Sequence, residues 1–360
     1  MSRFENNVMG LVPQQDWLDI PFVVNRPDDP IDQLFGDVKT DNIVAYWESI
    51  AAEYQVPLMA QFHGFDTESQ KTFRTPVDTH NVEKGLIKVK IDQSERMRAL
   101  LRSGVQNEQM YDYVINDGIR LAEQVITRTK VAKNELIAKG EVTIKENNLD
   151  LTIDYGVPSA QKNLSIDFGD GASAPVDEQI EALVETALLN GNTLNGFMTS
   201  RAVLNKLRKN AAIQKAVNGV NMVGQLVSNA DLRAYLSEEF GLDNIITNDA
   251  TYGIPGTEVA GRPHVTAKRM FPVDGITFFA TPGGGTKLGD GLWGDPPETD
   301  AGIDINNRVT GSGESPYVYI TQWSEHDPAV LWTKASSLFI PVLYNPTSLY
   351  IASATETPGT

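Results

Sequence analysis

The sequence predicts an α+β chain, and three observations carry that prediction. Met110, Val114, Leu121, Val125, Ala132 and Leu136 recur with gaps of 4, 7, 4, 7 and 4, an 11-residue repeat close to three helical turns. Ile87, Val89 and Ile91 alternate with Lys88, Lys90 and Asp92, the period of a strand with one buried and one wet face. Beyond Pro175, helical patterns at 176–189, 200–217 and 229–240 are separated by short apolar runs at 193–198 and 245–248, which together make a compact mixed unit.

Taken in order, residues 1–54 hold Pro13, Pro21, Pro27 and Pro30 among scattered aromatics, Trp17, Phe22 and Phe35. Prolines at this density suppress both helix and central strand, so the segment reads as an extended N-terminal arm with a few anchoring side chains. Inside it, Asp41 to Tyr54 has a short helical pattern, with Asp41 as a cap and Ile43, Trp47 and Ile50 on one face. Residues 55–92 then form an excursion with turns at His63-Gly64 and Thr75-Pro76, expected to project as a long two-stranded hairpin or loop. A lone two-stranded ribbon is marginal in water, so a projecting one needs something to lie on.

The helix at about 107–139 would span roughly 50 Å at 1.5 Å per residue, longer than a compact domain needs. Gly140 stands where a helix terminator belongs. Val142 and Ile144, then Leu149, Leu151 and Ile153, alternate with polar residues about Asn147-Asn148 as a β-hairpin. Phe168 to Pro175, with Gly169 and Gly171, reads as a boundary ahead of the mixed unit. A loop-rich section at 281–314 holds Gly283-Gly284-Gly285, Gly289, Gly291, Gly294, Pro296 and Pro297. Strands at 316–322, 338–343 and 348–352 bring the chain back to the earlier sheet.

Composition narrows the function. The chain has 360 residues, 41% of them hydrophobic, and a formal charge of -17. That is enough chain for two or three units, with ordinary globular composition. The absence of cysteine excludes disulfides, thiolate metal sites and a cysteine nucleophile. The N-terminus shows no secretory pattern, and no apolar run approaches the roughly 20 residues of a membrane helix. A soluble protein made in the cytoplasm, with no membrane partner, is expected.

The charge is uneven: residues 1–70 carry 12 acidic and 3 basic side chains, and residues 71–145 carry 10 acidic and 14 basic. Such blocks are usually solvated faces; the sharper reading is that one copy's basic stretch meets another copy's acidic part. Gly283-Gly284-Gly285-Thr286-Lys287 has no Gly-Lys pair, so it lacks the lysine placement of a phosphate loop. His63, His80, His264 and His326 show no metal-ligand spacing, and Glu298, Asp300 and Asp304 lack the EF-hand pattern. No Gly-x-Ser-x-Gly elbow is present. No catalytic residue, cofactor or metal is assigned.

An arm, a projecting basic loop, one very long helix, a hairpin, a mixed unit and a strand return form an order that suits a shell subunit. The segments Gln93-Ser94-Glu95-Arg96-Met97-Arg98, Lys139-Gly140-Glu141-Val142-Thr143-Ile144 and Leu151 to Gly156 carry a resemblance. So do Ala187 to Met198, Ser200 to Leu207, Trp323 to Pro328, Ser336 to Pro341 and Pro346 to Ile351. In these pieces, spread over residues 55–352, the sequence resembles the tailed-phage major capsid proteins of the Hong Kong phage fold, and most closely the lambda-type capsid protein E family.

The resemblance implies an N-arm at 1–54, an E-loop at 55–92 and a peripheral domain at 93–165 whose spine helix is about 107–139. It also implies an axial domain at 166–314, with C-terminal strands at 315–360 returning to both domains. The implied function is a major capsid protein of the virion that forms hexamers and pentamers of an icosahedral head around double-stranded DNA, without sequence-specific binding. Expected partners are its own copies, a separate scaffold protein, a portal and a candidate decoration protein. Some members join the loop covalently to a neighbour. Lys71, Lys84, Lys88 and Lys90 lie in this loop, but that chemistry also needs an asparagine and a carboxylate supplied in space, and it is not expected here. Candidate inter-subunit contacts are Lys84, Lys88, Lys90, Trp17 and Phe22. The alternatives are an encapsulin-like nanocompartment shell, a tail or head-completion protein, and a soluble carboxylate or metal-dependent enzyme using residues 290–304.

Overall fold

The computed structural model describes residues 29–50, 56, 59–60, 62–63, 65, 68, 71, 77–95, 107–147, 149–169, 174–222, 224–256, 264–281, 285–297, 308–309, 318–327 and 329–356. Helix α1 (Asn107–Lys139) lies where the 11-residue repeat places it, and Leu121, Val125, Ala132 and Leu136 are buried. Gly140 ends it in the left-handed region at φ +71°, where a Cβ costs roughly 1–2 kcal/mol. Its N–H donates to the Leu136 carbonyl at 2.7 Å.

The described part of the N-terminal segment is a strand and core element. Asp29 caps a 3-10 turn at Pro30–Gln33 through its side chain, and Ile31, Leu34 and Phe35 are buried. Strand β1 (Phe35–Lys39) follows, then β2 (Val44–Ile50), β3 (Val77–Glu83) and β4 (Gly85–Gln93). The helix expected at 41–54 is therefore a correction: β2 is a strand in antiparallel register with β3. Ala45, Trp47 and Ser49 are buried while Val44, Tyr46 and Glu48 face water, so the true period is two. Trp47 finds a cross-strand partner, stacking on His80 at 5.2 Å, and that pairing overrides the helical spacing of Ile43, Trp47 and Ile50.

The expected hairpin is also rearranged. β3 pairs with β2, while β4 joins the main sheet, and residues 51–76 form the connection between β2 and β3. The alternation read on β4 holds: Ile87, Val89 and Ile91 pack against the main core and Lys88, Lys90 and Asp92 are exposed.

After α1 come the hairpin β5 (Glu141–Glu146) and β6 (Leu149–Asp154), with Asn147 at φ 49°, and β7 (Leu164–Asp167). The mixed unit contains α2 (Val176–Leu189), β8 (Gly196–Thr199), α3 (Arg201–Lys209), α4 (Ala211–Asn218), α5 (Asn229–Phe240) and β9 (Asn244–Thr247). The single helix expected at 200–217 divides at Asn210, whose side chain accepts from the N–H groups of Ala212 and Ile213 and so starts a new helix. Three strands were not anticipated: β10 (Thr251–Pro255), β11 (Val265–Arg269) and β12 (Gly275–Phe279).

The Gly-rich section holds another unanticipated element, β13 (Gly289–Gly294), followed by β14 (Arg308–Val309). The expected returns are β15 (Tyr319–His326), β16 (Ala329–Leu343) and β17 (Leu349–Thr355). β13 is a central strand, parallel to β1 and antiparallel to β16. Its glycines are there because neighbours leave no room: a Cβ on Gly289 would lie 1.9 Å from the Val342 carbonyl oxygen, and one on Gly291 2.7 Å from the Phe339 ring. Reading that stretch as loop confused close backbone approach with flexibility.

Two cores result. The first packs α1 on the sheet ordered β1-β13-β16-β15-β14, with β4 also paired to β16; it includes Leu121, Val125, Leu136, Trp293, Ala335 and Phe339. The second packs α2 to α5 about the sheet ordered β7-β17-β12-β8-β9, with Ile180, Leu204, Leu232, Phe278 and Tyr350 inside. Tyr155, buried at the base of the β5–β6 hairpin, donates its hydroxyl to the Pro341 carbonyl at 2.7 Å. Tyr155→Phe should cost about 1 kcal/mol by stranding that carbonyl, read as a lowered denaturation midpoint with an unchanged slope.

Candidate assembly surface

The connection between β2 and β3 is the most apolar exposed feature among the described residues. Met59 is 89% exposed and Phe62 and Phe65 are fully so, and every other described residue from 56 to 71 is exposed too. At its roots Ile43, Tyr46 and Val77 add further apolar surface to water. Each such side chain gains about 1.5–3 kcal/mol when fully buried, so the loop has the chemistry of a surface that another surface covers.

The base of this ribbon is held firmly. Trp47 also stacks on Tyr155 at 5.7 Å, and Ser49 Oγ lies 2.8 Å from His80 Nε2. Lys84, 3% exposed, places its ammonium 2.8 Å from Thr40 O, 2.6 Å from Thr40 Oγ1 and 3.1 Å from Trp293 O. Three acceptors match its three N–H donors, and burial lowers its pKa. Lys84, expected at a contact between copies, is instead found buried, where its charge fastens β3 and β4 to β13 inside the subunit. Lys88 and Lys90 stay on the wet face of β4, with Lys90 Nζ 3.9 Å from the centre of the Trp332 ring. Trp17 and Phe22 lie outside the described residues.

A second set of cations was missed by the sequence reading. Lys130 Nζ lies 3.0 Å from Asp32 Oδ2, and Lys133 Nζ 2.9 Å from Asp37 Oδ1 and 3.5 Å from Asp32 Oδ1. Asp37 also accepts from Trp293 Nε1 at 2.9 Å. These buried lysines clamp the arm to α1; their only trace in the sequence is a pair of charges three apart inside an otherwise apolar repeat.

Beside the clamp, Asn248 Nδ2 donates to Asp29 Oδ1 at 3.1 Å and to Asn134 Oδ1 at 2.8 Å, joining arm, α1 and the second core. Burial, its largest influence, raises the Asp29 pKa above the ordinary 3.8 despite the Ile31 N–H and Lys130. A raised carboxylate pKa gives stability that is fully present below the unfolded value and is lost as pH rises through the folded value. Asp29→Asn is therefore expected to flatten the fall in melting temperature as pH rises above about 4, measured by calorimetry across pH 3.5 to 7.

No group of three or more His, Asp or Glu that could hold a metal occurs among the described residues, and Glu298, Asp300 and Asp304 lie outside them. No helix among the described residues is long and apolar enough to cross a membrane. The chemistry on offer is contact chemistry: apolar loop, exposed cations and an anchored arm.

The model of the phage major capsid protein E family matches residues 65–354, most of the chain. The chain belongs to this family. The capsid protein has the Hong Kong phage-type fold, and three solved structures share it. One is a protein assigned as a prophage capsid protein of E. coli CFT073, at 12% identity and a TM-score of 0.55 over 96% of this chain and 99% of that one. Another is a phage-related protein from Bordetella bronchiseptica RB50, at 11% identity and 0.51 over 94% and 95%. The third is the cyanophage A-1(L) capsid, at 11% identity and 0.50 over 91% and 93%. No curated protein matches the sequence. The family is structural, so the capsid protein is a component of the virion shell and not an enzyme.

Proposed function

We propose that this capsid protein assembles as hexamers and pentamers into an icosahedral phage head around double-stranded DNA, and that its β2–β3 loop is the E-loop that lies on a neighbouring copy. The exposure of Met59, Phe62 and Phe65 carries the reading, because no described residue of their own subunit covers them. In this scheme α1 is the spine helix, the first core is the peripheral domain, and the α2 to α5 unit is the axial domain. A separate scaffold protein, a portal and a decoration protein complete the head. The excess of 17 negative charges suits a wall along which packed DNA slides without adhering. The family match favours a phage head over a nanocompartment shell.

Charge pairing between copies supplies the test. Lys88→Glu with Lys90→Glu, leaving Lys84 intact because its role is internal, should slow assembly at least several-fold at an ionic strength near 0.01 M. The effect should fade near 1 M, as the Debye length falls from about 30 to about 3 Å. Light scattering during assembly reads this directly; equal rates for variant and parent at both salt levels would remove the charged contact.

A further inference from the structure

Among the described residues, the strands β10 and β11 pair only with each other, as a two-stranded ribbon. Its register runs from Thr251↔Arg269 to Pro255↔Val265, and its ladder extends to Met270 N–Ala250 O at 2.9 Å and Gly256 N–His264 O at 2.8 Å. At about 3.3 Å per residue it reaches roughly 20 Å from its root. Neither strand gives a residue to either hydrophobic core, and no third strand pairs with it among the described residues. All five residues of β11 are exposed, Val265 at 60%, and Tyr252 and Ile254 are only half-buried. Two-stranded ribbons are marginal by themselves in water, and both long edges here leave backbone groups unpaired.

The root, in contrast, is fixed. Arg269 Nη1 lies 2.6 Å from Asp249 Oδ1, and Arg201 Nε lies 3.5 Å from Asp249 Oδ2. Asn248, tied to Asn134 and Asp29, accepts from the Ala250 N–H at 2.9 Å. A base held by these contacts under two exposed strands is the construction of a reaching arm.

We infer that the β10–β11 ribbon is a second inter-subunit arm, and that it docks on another copy of this chain. The inference rests on the shell function proposed above. Two observations point to a copy of the chain as occupant. With Arg269 already paired to Asp249 at the root, residues 251–268 hold Arg262 and Lys268 against Glu258, a net positive stretch in a chain of charge -17, so the surfaces of its copies attract it. Tyr252, Ile254 and Val265 add apolar contact, which a protein surface rewards and a DNA backbone does not.

The chain has no cysteine, so Val265→Cys gives a single reporter, and Thr266→Cys repeats the measurement on the other face of the ribbon. Maleimide labelling of DNA-free shells is compared with labelling of dissociated subunits. At least one of the two positions should react ten-fold or more slowly in shells, and a photo-cross-linker placed there should yield covalent dimers. Shells that form while both cysteines react at the free-subunit rate would overturn the inference and leave the shell function standing. Protection found only in DNA-filled particles would overturn it in favour of nucleic acid. Failure of the unsubstituted chain to form shells, with or without its scaffold, would sink the shell function and this inference with it.

Discussion

Replacing Met59, Phe62 and Phe65 together with serine is expected to give a folded subunit that no longer builds shells. These side chains belong to neither hydrophobic core and are about as exposed as the geometry allows, so the melting temperature should stay within about 2 °C of the parent, as for other surface changes. At about 2 kcal/mol for each side chain buried between copies, the contact loses roughly 6 kcal/mol, a factor of about 10⁴ or more in its equilibrium constant. Summed over every subunit of a closed shell, that loss is decisive. Sedimentation velocity together with a thermal melt separates the two effects. Shells at parental yield from the triple variant would show that the loop is not the adhesive element.

The second large effect is expected inside the subunit. Gly289→Ala would force a Cβ to within 1.9 Å of the Val342 carbonyl and 3.0 Å of the Phe35 ring. Both neighbours are fixed, the first by the β13–β16 ladder and the second by the core. Overpacking typically costs 1–3 kcal/mol, and here backbone must part, so a loss of about 3 kcal/mol or more is expected. Because β13 also carries β1, the arm should loosen with it. Denaturant unfolding measures the loss, and hydrogen exchange of residues 35–39 reports the loosening. A loss under about 1 kcal/mol would mean that the sheet edge gives way freely.

Much of this was legible in the sequence where the signal is local. The repeat from Met110 to Leu136, the alternation on β4 and the turn at Asn147 each depend on neighbours a few residues away, and α1, β4 and the β5–β6 hairpin appear where they predict. What failed depends on contacts distant in sequence. Trp47 fits a helical face until His80, 33 residues on, supplies a cross-strand ring. The glycines of β13 look like loop until Val342 and Phe339 are seen to leave no space. Lys84 looks like its neighbours Lys88 and Lys90 until Trp293, far along the chain, provides a buried carbonyl. The loop hydrophobics Met59, Phe62 and Phe65 were present as an aperiodic apolar scatter, a pattern that marks contact surface only once the structure shows that no core claims them.

Electron microscopy of the purified full-length chain, alone and with its scaffold, tests the central claim most directly. Closed shells, or rings of five and six subunits joined through the β2–β3 loop, are the expected result. A monodisperse monomer that forms neither at any concentration, with or without scaffold, would contradict it.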